Sequence, residues 1–223
     1  VAALDTFFAD VPEQTRAIVI SGTGGHFSSG LDFSQHVARQ PLDVMAHSRN
    51  WHRVMARIAH SPVPVVAAMS GAVMGGGLEF AAACHVRVAE ETVRFQMPEG
   101  LRGIFVGGGG SVRISRLIGP DRLTEMMLTG RTYSGVEGER LGLAHHLVPE
   151  GQALEKAFEL AGRIARNSPT INGFIIQAIA QIGSMPPEAG LYAESLTAAL
   201  SQTGPDAEEG LKAFLEKRPP NFG

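Results

Sequence analysis

The sequence predicts an α/β core followed by a helical C-terminal region. Two observations carry this. Short apolar runs at 17–20, 63–69, 86–88, 93–95 and 145–148 are separated by stretches that include helical periods, as far as about residue 150. From Gln152 onward the pattern is helical only, broken at Ser168-Pro169 and Pro186-Pro187. Alternating strands and helices, then helices alone, argue for an α/β core at 1–150 and a helical region at 151–223.

In order along the chain, Ala3, Leu4, Phe7, Phe8 and Val11 suit one face of a helix. The run 17–20 closes on Ser21-Gly22, as a buried strand does, and 22–30 is a glycine- and serine-rich loop. Residues 34–44 show no clear period, which suggests mobility. A helix is predicted over 45–59, with Trp51, Val54, Met55 and Ile58 on one side, stopped by Pro62 and Pro64. After the strand at 63–69, Gly75-Gly76-Gly77 opens an apolar helix that runs through Cys84. Gly107-Gly108-Gly109-Gly110 precedes a helix over 111–118. Residues 122–128 are helical, and Ser134-x-x-Glu137 is a capping box before another helix.

The chain has 223 residues, enough for one domain with a sizeable core. Hydrophobic residues at 44% and charged residues at 18% exclude a disordered chain. A net charge of −3 supplies no basic field, so nucleic acid is not an expected partner. One cysteine, Cys84, excludes an intrachain disulfide framework and a Cys-rich zinc site, and no metal is expected. The stretch 62–84 carries a single charge, Glu79, but is not read as a membrane span. Pro64 and the three glycines interrupt it, and a carboxylate at mid-membrane costs about 3 kcal/mol. The chain begins Val-Ala-Ala-Leu, without Met, inside what reads as a helix. The natural N-terminus is therefore expected to be absent. A cytoplasmic location is expected, with an organellar targeting segment left open.

Three stretches carry chemistry. Gly75-Gly76-Gly77 lets another group approach the backbone, and the unpaired N–H groups that open the following helix suit an oxyanion. A tight packing turn would explain the glycines equally well, and the Gly-Lys-Ser/Thr ending of a P-loop is missing. Glu79 sits one turn into this helix among Leu78, Phe80 and Ala81 to Ala83. A carboxylate buried there is costly, which suits a general acid or base, or a helix-start partner for an arginine. Glu99 lies 20 residues on, in a loop fixed by Pro98 and flanked by Gly100 and Gly103. Two carboxylates with apolar neighbours can act as paired acid and base. Such a pair also suits a glycosidase, but here it accompanies an anion-stabilising glycine turn. The loop 25–32 could present another N–H. His26 there reads as a surface histidine rather than a base, and Asp32 could cap the following segment.

Together these stretches resemble the crotonase superfamily, the enoyl-CoA hydratase/isomerase family. Phe27-Ser-Ser-Gly-Leu-Asp32 is similar to its F-x-A-G-x-D loop, and Ser70 to Glu79 to its N-G-x-x-x-G-G-G-x-E turn. Phe95 to Gly103 with Gly107 to Gly110 is similar to its F-x-x-P-E-x-x-x-G…G-G stretch. Leu128-Thr-Gly130, Gly142-Leu143, Val148-Pro149 and Glu209 to Arg218 extend the likeness over nearly the whole chain. The resemblance implies a spiral of β-β-α units whose helical C-terminal region mediates trimerisation, in a homotrimer or dimer of trimers. It implies an acyl-CoA substrate, with no cofactor other than the coenzyme A that the substrate carries and no membrane partner. Ser29 and Gly76 match the oxyanion-hole positions. Phe27, Ser28, Gly30, Leu31, Asp32 and Gly75 match the substrate-binding surround. Glu79 and Glu99 match the two catalytic glutamates of the hydratases, which add water across a 2,3-double bond.

The sequence departs from the family pattern at Ser28-Ser29, at Ser70 in place of Asn, at His85 in place of Asp, and in the bulky Ile104-Phe-Val106. The acyl group therefore need not be a simple fatty chain, and His85 also reads as a packing substitution. Alternatives within the superfamily are a double-bond isomerase, an acyl-CoA hydrolase and an aromatic-acyl hydratase-lyase. Outside it stands a catalytically silent CoA-binding or scaffold protein, which the presence of both glutamates disfavours.

Overall fold

The computed structural model describes residues 1–32 and 40–222. Strands β1 (Ile18–Ser21), β2 (Val65–Met69), β4 (Val86–Glu90) and β7 (His146–Val148) form a parallel sheet in the order β1-β2-β4-β7. A smaller sheet takes β3 (Ala72–Met74), β5 (Arg94–Gln96) and β6 (Thr132–Ser134). In it β3 pairs parallel and β6 antiparallel with β5. Consecutive strands thus go to different sheets, β2 to one and β3 to the other, then β4 and β5 likewise. Helices α3 (Gly76–Ala81), then α4 (Gly110–Ile118) and α5 (Pro120–Thr129), follow these pairs. This is the repeated β-β-α spiral that the resemblance implies.

All five residues of β2 are buried, so its alternation serves two cores. Val65, Ala67 and Met69 face the main core, which holds Val54, Met55 and Ile58 of α2 (Pro41–Ala59), Leu78, Phe95 and Ile114. Val66 and Ala68 face the other way. There Ala153, Ala157 and Ala161 of α7 (Ala153–Ile164), four residues apart, let that helix approach the sheet closely. Helices α8 (Pro169–Ile182), α9 (Pro187–Gln202) and α10 (Pro205–Leu215) complete the C-terminal region. Among the described residues, no helix is long and apolar enough to cross a membrane.

The elements differ from expectation where local signal is weakest. α2 starts at Pro41, four residues early, because proline is preorganised for a first helical turn. That turn presents Leu42, Val44 and Met45 away from the core, so its period is hidden. Of the stretch expected to be mobile, 34–44, residues 34–39 lie outside the described residues. α3 ends at Ala81, and turns carry the chain on to Cys84. β3 and β6 have three residues each, too few to show a period. The capping box is present in both halves: Ser134 Oγ accepts from the Glu137 N–H at 3.2 Å, and the Ser134 N–H donates to Glu137 Oε2 at 2.8 Å. It opens α6 (Gly135–Leu141).

Two polar groups tie the spiral together. His85 accepts the Val65 N–H on Nδ1 at 2.9 Å, and its Nε2 lies 3.2 Å from the Ala59 carbonyl. It joins the end of α2 to β2, and burial holds its pKa below the ordinary histidine value. Arg87 is buried and donates to the carbonyls of Leu143, Cys84 and Gly142 at 2.8, 3.0 and 3.2 Å. Two of these carbonyls, Gly142 and Leu143, lie just past the C-terminus of α6, where a cation is favoured.

Candidate active site

The site is assembled at the N-terminus of α3. The loop that follows β1 is fastened along β3: the Ser28 N–H donates to Ala72 O at 3.0 Å and the Met74 N–H donates to Ser28 O at 3.0 Å. His26 fastens the same loop, its Nδ1 accepting from the Ala72 N–H at 3.2 Å. Gly30, at φ +93°, then passes so near α3 that a Cβ on it would lie 2.8 Å from Met74 O and 3.0 Å from Gly76 N. Only glycine fits this approach. It sets Ser29 beside Gly75-Gly76, and the N–H groups of Ser29 and Gly76 have no acceptor among the described residues. Both residues line a cavity of about 610 Å³.

Glu79 and Glu99 line the same cavity. Glu79 is 4% exposed, and its Oε1 accepts from the N–H groups of Gly108 and Gly110 at 2.8 and 2.7 Å. No salt bridge holds it among the described residues, and Arg113 is near enough to feel its charge; backbone N–H groups, not a guanidinium, hold the carboxylate in place. The two N–H bonds fix one oxygen and leave Oε2 for other chemistry. Glu99 is 6% exposed, and its Oε2 is buried without a partner among the described residues. Burial pushes its carboxyl up to about 7; the charge of nearby Glu79 adds to the rise, and a backbone hydrogen bond opposes it. Gly75 leaves room for this carboxylate, since a Cβ there would stand 3.2 Å from Glu99 Oε1.

The opposite wall is Trp51 of α2. Its Cη2 would lie 3.1 Å from a Cβ on Gly76 and its Cε3 3.2 Å from one on Gly108. The indole therefore spans from the free N–H pair to the turn that holds Glu79. Its own N–H donates to His47 Nε2 at 3.1 Å.

Of the residues singled out from the sequence, Ser29, Leu31, Gly75, Gly76, Glu79 and Glu99 meet at this cavity. Phe27 instead stacks on Phe80 in the core at 5.3 Å, and Ser28 shapes the loop by accepting the Gly30 N–H on its Oγ. Asp32 is exposed, and the segment it was expected to cap lies outside the described residues. His85 is absent from the cavity wall, in keeping with its packing role. Sequence reasoning missed Trp51 as a wall and the Gly108 and Gly110 N–H groups as the holders of Glu79. The run of four glycines was the available signal for the second.

The family model described as enoyl-CoA hydratase/isomerase matches residues 1–223, the whole chain. The chain belongs to the enoyl-CoA hydratase/isomerase family. A crystal structure named "putative enoyl-CoA hydratase" from Rhodopseudomonas palustris is 49% identical, with a TM-score of 0.94 over 97% of this chain and 84% of its own. A Bacillus subtilis protein named "Probable enoyl-CoA hydratase" is 34% identical over 93% of this chain and 81% of its own length. The 2,3-dehydroadipyl-CoA hydratase of Escherichia coli is 33% identical over 92% and 79%. Membership in the enoyl-CoA hydratase/isomerase family makes the protein an enzyme of the crotonase superfamily, with acyl-CoA substrates.

Proposed function

We propose that the protein hydrates the 2,3-double bond of an enoyl-CoA thioester. The observation that carries this reading is the unequal pair of carboxylates on one cavity: Glu79 fixed by two N–H groups, Glu99 with one buried oxygen that has no partner among the described residues and a pKa pushed up to about 7. The thioester oxygen binds the N–H groups of Ser29 and Gly76, which take up the charge that builds as the enolate forms. One such donor is worth roughly 3 kcal/mol of transition-state stabilisation. The planar conjugated acyl group lies against Trp51. Glu79 Oε2 takes a proton from the water that attacks Cβ, and Glu99 delivers a proton to Cα. A carboxyl titrating near 7 keeps both its forms available at neutral pH, as acid–base catalysis requires. No cofactor is invoked beyond the coenzyme A of the substrate.

A double-bond isomerase needs one proton-shuttling carboxylate, and Glu99 alone would serve. The second, rigidly held carboxylate favours hydration. The two are separated by following loss of the conjugated thioester absorbance with crotonyl-CoA and longer 2-enoyl-CoAs, beside a 3-enoyl-CoA. Hydration of the first set with no shift of the double bond in the second is expected; the reverse pattern makes it an isomerase. We further propose a homotrimer or dimer of trimers, supported by the apolar groove between α8 and α9 lined by Ile171, Phe174, Ile175 and Ile179. A monomer by light scattering at micromolar concentration would remove that part of the reading.

A further inference from the structure

Glu79 owes its orientation to two N–H groups, and something must orient those. An N–H shares a rigid peptide plane with the carbonyl of the residue before it, and in a trans peptide the two point in opposite directions. None of the peptides here is cis. The plane that carries the Gly110 N–H is held by the first turn of α4, because Gly109 O accepts from Val112 and Arg113 at 3.1 and 2.9 Å. Arg113 Nη1 holds the plane before it, donating to Gly108 O at 3.3 Å.

The plane that carries the Gly108 N–H is held differently. No backbone donor among the described residues reaches Gly107 O. Ser48 Oγ of α2 donates to it instead, at 2.7 Å, from 59 residues away in sequence. A continuous line thus runs from the Ser48 hydroxyl to Gly107 O, through the peptide to the Gly108 N–H, and on to Glu79 Oε1 at 2.8 Å. Hydrogen bonds on the two ends of one amide polarise each other, so the hydroxyl strengthens the N–H bond as well as aiming it. His52 Nε2 lies 3.4 Å from the same hydroxyl, one turn on.

We propose that Ser48 is a positioning residue for Glu79, acting from α2 through the Gly107–Gly108 peptide. Ser48 is half-buried and outside the core face of its helix, which is Val54, Met55 and Ile58. Alanine is the better helix former at such a position, so Ser48→Ala removes the hydroxyl without a packing loss.

The catalytic part of the proposal rests on the hydratase reading; the geometric part does not, and the test has an arm for each. Amide hydrogen exchange of the free full chain, read by NMR, is expected to quicken about tenfold at Gly108 in Ser48→Ala, the loss of roughly one hydrogen bond. Gly110 and the β2 amides should keep their wild-type rates, and Ser48→Thr should restore Gly108. Unchanged protection at Gly108 overturns the proposal. In the second arm, kcat for crotonyl-CoA hydration falls several-fold in Ser48→Ala with KM nearly constant, and Ser48→Thr recovers it. In a Glu79→Gln background the same change has no further effect, because the two residues form one unit. An equal fractional loss in both backgrounds, or a rise in KM alone, overturns the proposal. Should the wild type hydrate no enoyl-CoA while Gly108 still loses protection in Ser48→Ala, the hydratase reading falls and the positioning role stands.

Discussion

Glu99→Gln should make the protein more stable at pH 8 while removing its function. Glu99 is buried with an unpartnered oxygen, and its carboxyl is pushed from 4.5 up to about 7. The folded protein therefore binds this proton more tightly than the unfolded chain does. Stability from Glu99 is full below pH 4.5 and is lost as pH rises through 7, the opposite of a salt-bridged carboxylate. The rise, at about 1.4 kcal/mol per pH unit, corresponds to roughly 3 kcal/mol. The side chain lines a cavity open to solvent, so screening leaves about 1–2 kcal/mol. Glutamine keeps the shape and carries no charge, so it escapes the penalty. For a chain of this size the gain is about 2–8 °C in Tm. Thermal unfolding of wild type and variant, followed by circular dichroism, should show almost no difference at pH 4.5, a growing one towards pH 7 and the full one at pH 8. A variant no more stable than wild type at pH 8, or equally stabilised at both ends, refutes the reasoning.

Gly30→Ala forces a side chain onto a left-handed backbone and into Met74 O, at 2.8 Å. It should cost about 1–3 kcal/mol in denaturant unfolding and also lower kcat, because it separates Ser29 from Gly76. His145 accepts the Arg87 N–H on Nδ1 at 3.0 Å and must be neutral to do so. Burial, then the charges of Arg87 and His146, lower its pKa to about 4. Its contribution is complete above pH 6.5 and is lost as pH falls from there towards 4. The residue is exposed enough that urea titrations across this window should register under about 1 kcal/mol from it, and a His145→Gln variant should lack that slope.

The sequence made the large sheet, α2 and the C-terminal helices legible because each has either a run of apolar residues or a full helical period. It did not reveal β3 and β6, which are three residues long and take their conformation from neighbours in the small sheet. At the site, glycine was the readable sign. Gly30 and Gly77 stand where backbone must touch backbone, Gly75 and Gly76 leave room for the Glu99 carboxylate and the Trp51 ring, and Glu79 and Glu99 stand out against apolar surroundings. Trp51 was legible only as a member of a helix face. Its place across Gly76 and Gly108 depends on how α2 crosses the sheet, a tertiary relation that no local pattern encodes. The same holds for Ser48, whose partner lies 59 residues away. Phe27 shows the converse: a motif position that belongs to the core and not to the cavity.

The central claim is that Glu79 and Glu99 move protons during one hydration and do not serve to bind the thioester. Its most direct test is kcat for crotonyl-CoA hydration in Glu79→Gln and Glu99→Gln, beside the affinity of each variant for a saturated acyl-CoA by calorimetry. The account predicts that each change lowers kcat by about 10²–10⁴-fold, with affinity within a few-fold of wild type, since the lost interaction belongs to the transition state. Wild-type turnover in either variant, or a loss that appears in affinity and not in kcat, would contradict it.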